Sequence, residues 1–165
     1  IAELLAEVEA AVYIVDALPN MQAEEVSERL LPFVEIIRQH RPETPILFVA
    51  DRRFGDASFI PAREIDRRQK NHAQQRALAL AGQAGFKHLH LAEQPSWFGG
   101  DDEGTVDGSH PSDLGAWRMA RKLYPAVRRL LVGQHAAATG LTTKVLRPAI
   151  DAALQRHDED AAAEE

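Results

Sequence analysis

Three short apolar runs, alternating with longer segments of helical periodicity, constrain this chain more than any other feature. The runs are "AVYIVDA" (11–17), "PILFVAD" (45–51) and "KHLHLAE" (87–93). The first two are continuously apolar and rich in Val and Ile, as expected of strands covered on both sheet faces. Strand and helix in strict alternation predict an α/β domain with a parallel sheet. Right-handed crossovers then bring every strand C-terminus to one edge, where open parallel sheets bind ligands. The loops to inspect are therefore 16–22, 51–61 and 93–110.

The intervening segments fit this scheme. In "AEEVSERLLPFVEIIRQH" (23–40), Val26, Leu30, Phe33, Val34 and Ile37 share one face with charges opposite. Residues 62–85 are helical, with Gly85 as the stop. A third helix is predicted from about Pro111 to Leu131, carrying Leu114, Trp117, Met119, Leu123 and Val127. A last helical segment over 141–157 contains Pro148, which should kink or break it. The expected organisation is one α/β domain over 1–131, a helical extension over 132–157 and an acidic, disordered tail over 158–165. Three strands make a thin sheet, and the sequence opens with Ile1 inside a helical pattern. One or two further strands are accordingly expected to precede it.

Composition narrows the function. The 165 residues contain no cysteine, which excludes disulfides, thiol nucleophiles and thiolate metal sites. Of the net charge of −6, most sits in Asp158, Glu159, Asp160, Glu164 and Glu165, so the rest is nearly neutral and nucleic acid is not an expected partner. No apolar run approaches a membrane span.

"EGTVDGSHPSDLGAWRMARKLYP" (103–125) holds the chemistry. Asp107 precedes His110 on a turn that Gly108 allows to fold back sharply. Pro111 suits a first helical position and biases His110 towards an extended conformation. Asp107 can then accept a bond from one ring nitrogen while the other faces the crevice, the orienter–base half of a hydrolytic triad. From spacing alone a second reading stands beside it, in which Asp107 and Ser109 only cap and turn the chain. Asn20, after the first strand and behind Pro19, can donate its amide to an oxyanion or can begin the next helix as a cap. Asp16 ends the same strand, as a structural, metal-binding or phosphate-handling acid.

"VYIVDALPNM" followed far downstream by "EGTVDGSHPSDLGAWRMA" resembles the bacterial GDSL-type esterases of the SGNH hydrolase superfamily. The likeness is greatest to the subgroup in which a β-sandwich often precedes the hydrolase domain. It runs from about residue 1 to 131. It implies a three-layer α/β/α, flavodoxin-like fold, here N-terminally truncated. It also implies that His110 is the general base, Asp107 the acid that orients it, and Asn20 the oxyanion-hole amide. Around Asn20 the commoner Gly-x-Asn-Asp form is replaced by Leu18, Pro19 and Met21. The family's Ser and Gly blocks should lie upstream of this sequence. Among the serines present, Ser109 adjoins His110 too closely to reach its outward nitrogen. Ser112 reads as a helix-start residue, Ser27 lies inside a helix, and Ser58 and Ser96 lack a tight strand-to-helix turn.

Other residues flank the same edge. Arg52 or Arg53 can meet a polar substrate, and Trp97 and Phe98 can line an acyl or sugar pocket or pack in the core. His88 and His90 share one side of a strand without an evident carboxylate partner, and the acids 101–103 do not follow an EF-hand order, so no metal site is assigned. The resemblance implies a serine esterase acting on a small-molecule ester with a small O-acyl group, such as acetyl on a carbohydrate, without metal or organic cofactor. Two rivals remain: a metal-assisted phosphoesterase-like site of Asp16, Asp51, Asp107 and His110, and a non-catalytic receiver-like domain phosphorylated on Asp16 or Asp51.

Overall fold

The computed structural model describes residues 1–94 and 96–140, together with 148, 151 and 152. The helix expected over 141–157 lies outside them apart from those three positions, and the acidic tail lies outside them entirely. The chain divides at Pro125 into two compact units, 1–125 and 126–165.

Residues 1–139 have the alternation read from the sequence. A short helix α1 (Ala2–Glu7) leads to strand β1 (Tyr13–Val15), helix α2 (Ala23–His40), strand β2 (Ile46–Val49), helix α3 (Pro61–Gln83), strand β3 (Leu89–Ala92) and helix α4 (Asp113–Thr139). The strands form a parallel sheet in the order β1-β2-β3. Tyr13 pairs with Ile46, and Ile46 in turn with Leu89. β2 is buried along its whole length, which is why "ILFV" shows no polar alternation. β1 is an edge strand among the described residues, and its Ile14 side chain is 47% exposed.

α2 begins at Gln22, whose backbone N–H donates to Glu25 Oε2 at 2.9 Å and so satisfies one of the free amides of the first turn. Val26, Leu30, Val34 and Ile37 are buried as the periodicity required, and Phe33 meets Phe48 edge-on at 6.2 Å. α3 ends where Gly85 was read as the stop. Gly85 has φ +93°, and the Phe86 N–H reaches back to Ala81 O at 3.1 Å, closing a Schellman turn.

α3 departs from the usual pattern. Its first half, "PAREIDRRQKN", has one large apolar residue, Ile65, and that residue is exposed. The face it buries instead carries Lys70, Asn71 and Gln74. α4 also differs from the expectation. It starts at Asp113 rather than Pro111, because Pro111 pairs with Thr105 in an antiparallel bridge and Ser112 is the cap, its Oγ accepting the Gly115 N–H at 3.2 Å. Leu114 and Trp117 are 42% and 56% exposed. Half-buried positions over this stretch include Arg118 and Lys122 beside Met119 and Leu123. Arg118 binds Phe98 O and the Asp101 carboxylate, and Lys122 binds Ser96 O.

Candidate active site

All three strand ends open on one edge. β1 continues into Asp16 and a 3₁₀ turn over Leu18–Asn20, β2 into Asp51 and Arg52, and β3 into the long loop that carries Asp107 and His110.

The Asp107–His110 turn is tightly organised. Oδ1 of Asp107 accepts the backbone N–H of Ser109 at 2.9 Å and of His110 at 2.8 Å, while Oδ2 lies 2.7 Å from His110 Nδ1. Gly108 holds φ +85°, a conformation that costs a side-chain-bearing residue steric strain. The Val106 N–H to His110 O bond and the Thr105–Pro111 bridge close the base of the turn. With both backbone amides and the imidazole on one carboxylate, the Asp107 carboxyl is held well below the ordinary carboxylate range, chiefly by the His110 amide. A carboxylate at Nδ1 places the proton of a neutral ring there and leaves Nε2 as the basic nitrogen. Nε2 has no protein partner among the described residues, and the His110 side chain is 75% exposed.

Asn20 does not cap α2; Gln22 begins that helix. Its side chain is exposed at the end of the 3₁₀ turn, beside an apolar hollow of about 700 Å³ that also touches Ile14, Asp16, Leu18 and Met21. Neither Asp107 nor His110 lines this hollow, so Asn20 and His110 are not brought into one described cavity. Arg52 spans the C-terminal ends of β1 and β2. Its Nη1 donates to Asp16 Oδ2 at 3.1 Å, and its guanidinium lies 5.1 Å from the Phe98 ring centre. Phe98 is therefore packed beneath Arg52. Trp97 is an interior residue, 1% exposed, with Nε1–H donating to Ala50 O at 3.1 Å. The reading of Trp97 as pocket wall is corrected by this burial: its ring fixes the loop to the end of β2.

Ser27 donates to Ala23 O and Ser112 to Glu103 O, and no serine hydroxyl among the described residues bonds to His110. The acids of the phosphoesterase-like rival do not converge. Asp16 is engaged by Arg52, Asp107 by His110, and Asp51 is buried against Lys70. No group of three His, Asp or Glu among the described residues is placed to hold a metal. Burial of Asp51, at 1% exposure, likewise removes it as a phosphorylation site for a receiver.

The chain's first 128 residues match the model of the GDSL-like lipase/acylhydrolase family. It belongs to that family. A crystal structure described as that of a GDSL-like lipase from Bacteroides ovatus ATCC 8483 superposes with a TM-score of 0.76 at 33% sequence identity, covering 79% of this chain and 39% of that one. The salicylyl-acyltransferase SsfX3 from a tetracycline biosynthetic pathway has the same fold, with a TM-score of 0.59 at 18% identity over 86% of this chain and 41% of its own. No curated protein sequence matches. The chain thus spans about two fifths of the solved proteins it resembles.

Residues that the sequence did not reveal as part of this edge are Asp56, Arg63, Lys70 and Asn71. The only signal available was indirect: a 23-residue helix with so few large apolar residues in its first half must bury polar ones.

Proposed function

We propose that the chain is the acid–base half of a serine esterase that cleaves small O-acyl groups, acetyl-like in size and carried on a carbohydrate. The observation that carries this reading is the 2.7 Å contact between Asp107 Oδ2 and His110 Nδ1, with Nε2 left open. Membership of the GDSL-like lipase/acylhydrolase family supports the reaction class.

In this reading a serine supplied from outside these residues stands opposite Nε2. Its Oγ attacks the ester carbonyl as its proton passes to His110, and Asp107 stabilises the imidazolium that forms. Asn20 donates its side-chain amide to the negatively charged oxygen of the tetrahedral intermediate. His110 then returns the proton to the departing alcohol oxygen, leaving an acyl-serine. Water repeats the sequence, giving its proton to His110 and releasing the carboxylic acid and free serine. The outer edge of β1, unpaired among the described residues, is where a further parallel strand bringing that serine would fit the sheet. Arg52, paired with Asp16, meets the hydroxyl groups of the alcohol portion in this reading. Phe98 supports it from below.

A fluorophosphonate probe applied to the complete gene product tests this. The expected result is a single covalent adduct on a serine outside residues 1–165, formed far more slowly when His110 is Ala. Chelator-sensitive hydrolysis without any serine adduct would overturn the reading.

A further inference from the structure

α3 carries buried or half-buried polar side chains that triad chemistry does not use, and three of them, Arg63, Lys70 and Asn71, engage the loop that follows β2. Asn71 acts as a surrogate strand: its Oδ1 accepts the Asp51 N–H at 2.7 Å and its Nδ2 donates to Asp51 O at 3.1 Å. Lys70, 3% exposed, bridges Asp66 at 2.7 Å and faces Asp51 Oδ2 at 3.8 Å. One end of the loop is thereby fixed in the interior, where a buried charge is held only by its partners.

The other end reaches the catalytic turn. The Gly55 N–H donates to Gly108 O at 2.8 Å, inside the Asp107–His110 turn itself. Gly55 also lies so close to Thr105 that a Cβ would stand 2.5 Å from its Oγ1. The Asp56 carboxylate covers Gly108, where an added Cβ would come within 2.7 Å of Asp56 Cγ. Asp56 is held in turn by Arg63, the third residue of α3, at 3.0 Å, and the Arg63 guanidinium stacks 5.1 Å above Phe54.

We infer that residues 51–56 form a brace between α3 and the Asp107–His110 turn, and that Asp56 and Arg63 are positioning residues for His110. The inference rests on the assignment of His110 as general base. The physical need is clear. The His110 side chain is three-quarters exposed, so the angle of Nε2 depends on how firmly the turn backbone is fixed. Triad chemistry tolerates little misplacement, and remote positional errors of about 1 Å can cost a hundredfold in rate. Asp56 touches no reacting atom in this scheme; it acts through Gly108.

The test uses the complete gene product with Asp56→Ala and, separately, Arg63→Gln. Two readouts are taken: hydrogen exchange of the Ser109 and His110 backbone amides, and kcat and KM for p-nitrophenyl acetate. Both variants are expected to exchange these amides about tenfold faster with α2 protection unchanged, and to lose about tenfold in kcat with KM within twofold. Exchange at wild-type rates in both variants would overturn the brace, as would loss of protection spreading through α2. If the wild-type protein cleaves no ester, the esterase reading fails while the exchange data still decide whether the brace exists.

Discussion

Asp107 holds His110 twice, through the ring at 2.7 Å and through the backbone N–H at 2.8 Å. One carboxylate therefore fixes both where the imidazole sits and which nitrogen carries its proton. Asp107→Asn keeps the side-chain size but replaces one acceptor oxygen with an NH₂ donor. It is expected to lower kcat for ester hydrolysis by about 10²–10⁴-fold with little effect on KM. Steady-state kinetics of the two proteins check this.

The acid dependence of the turn follows from the same contacts. The Asp107 carboxyl is depressed by the His110 and Ser109 amides and by the ring, so the folded protein keeps it ionised where an ordinary aspartate protonates. A depressed carboxyl contributes order that is fully present above its unfolded pKa, about 3.9, and is lost only as pH falls towards the lower folded value. The carboxyl carbon of Asp107 is expected to show no titration step near pH 4 by NMR. A step there would mean that the amide contacts are not maintained in solution.

Asn20 is exposed and does not cap α2, so its removal should leave the fold intact. Asn20→Ala is expected to reduce kcat by about 10²–10³-fold, the range for loss of one oxyanion donor, with thermal unfolding unchanged. Parallel kinetics and calorimetry separate the two effects.

Trp97 ties the loop after β3 to the sheet through its indole N–H on Ala50 O. Trp97→Phe leaves that buried carbonyl without its donor and a void beside the smaller ring. A loss of about 1–3 kcal/mol in stability is expected from denaturant unfolding.

What the sequence disclosed, and what it did not, divides along physical lines. β2 and α2 were legible because burial on both faces and on one stripe write themselves as an apolar run and a helical period, seen in Ile46–Val49 and in Val26, Leu30, Val34 and Ile37. The Asp107–His110 contact was legible because it is local, set by a three-residue spacing and a glycine. The loop contacts of α4 were not legible, because Arg118 and Lys122 bind loop carbonyls while Leu114 and Trp117 stay exposed. The brace from α3 was invisible for a related reason. Asp56, Arg63, Lys70 and Asn71 bind partners distant in sequence, and no periodicity marks a polar side chain that will be buried by its partner. Pro111 shows the limit of positional rules: it satisfies the preference for a first helical residue, yet the Thr105 bridge claims it first.

The measurement that tests the central assignment most directly is p-nitrophenyl acetate turnover by the complete gene product beside its His110→Ala variant. The expected result is loss of at least about a thousandfold in kcat/KM, with hydrogen exchange in α2 and β2 unchanged. Turnover by the variant at the wild-type rate would contradict the assignment of His110 as general base.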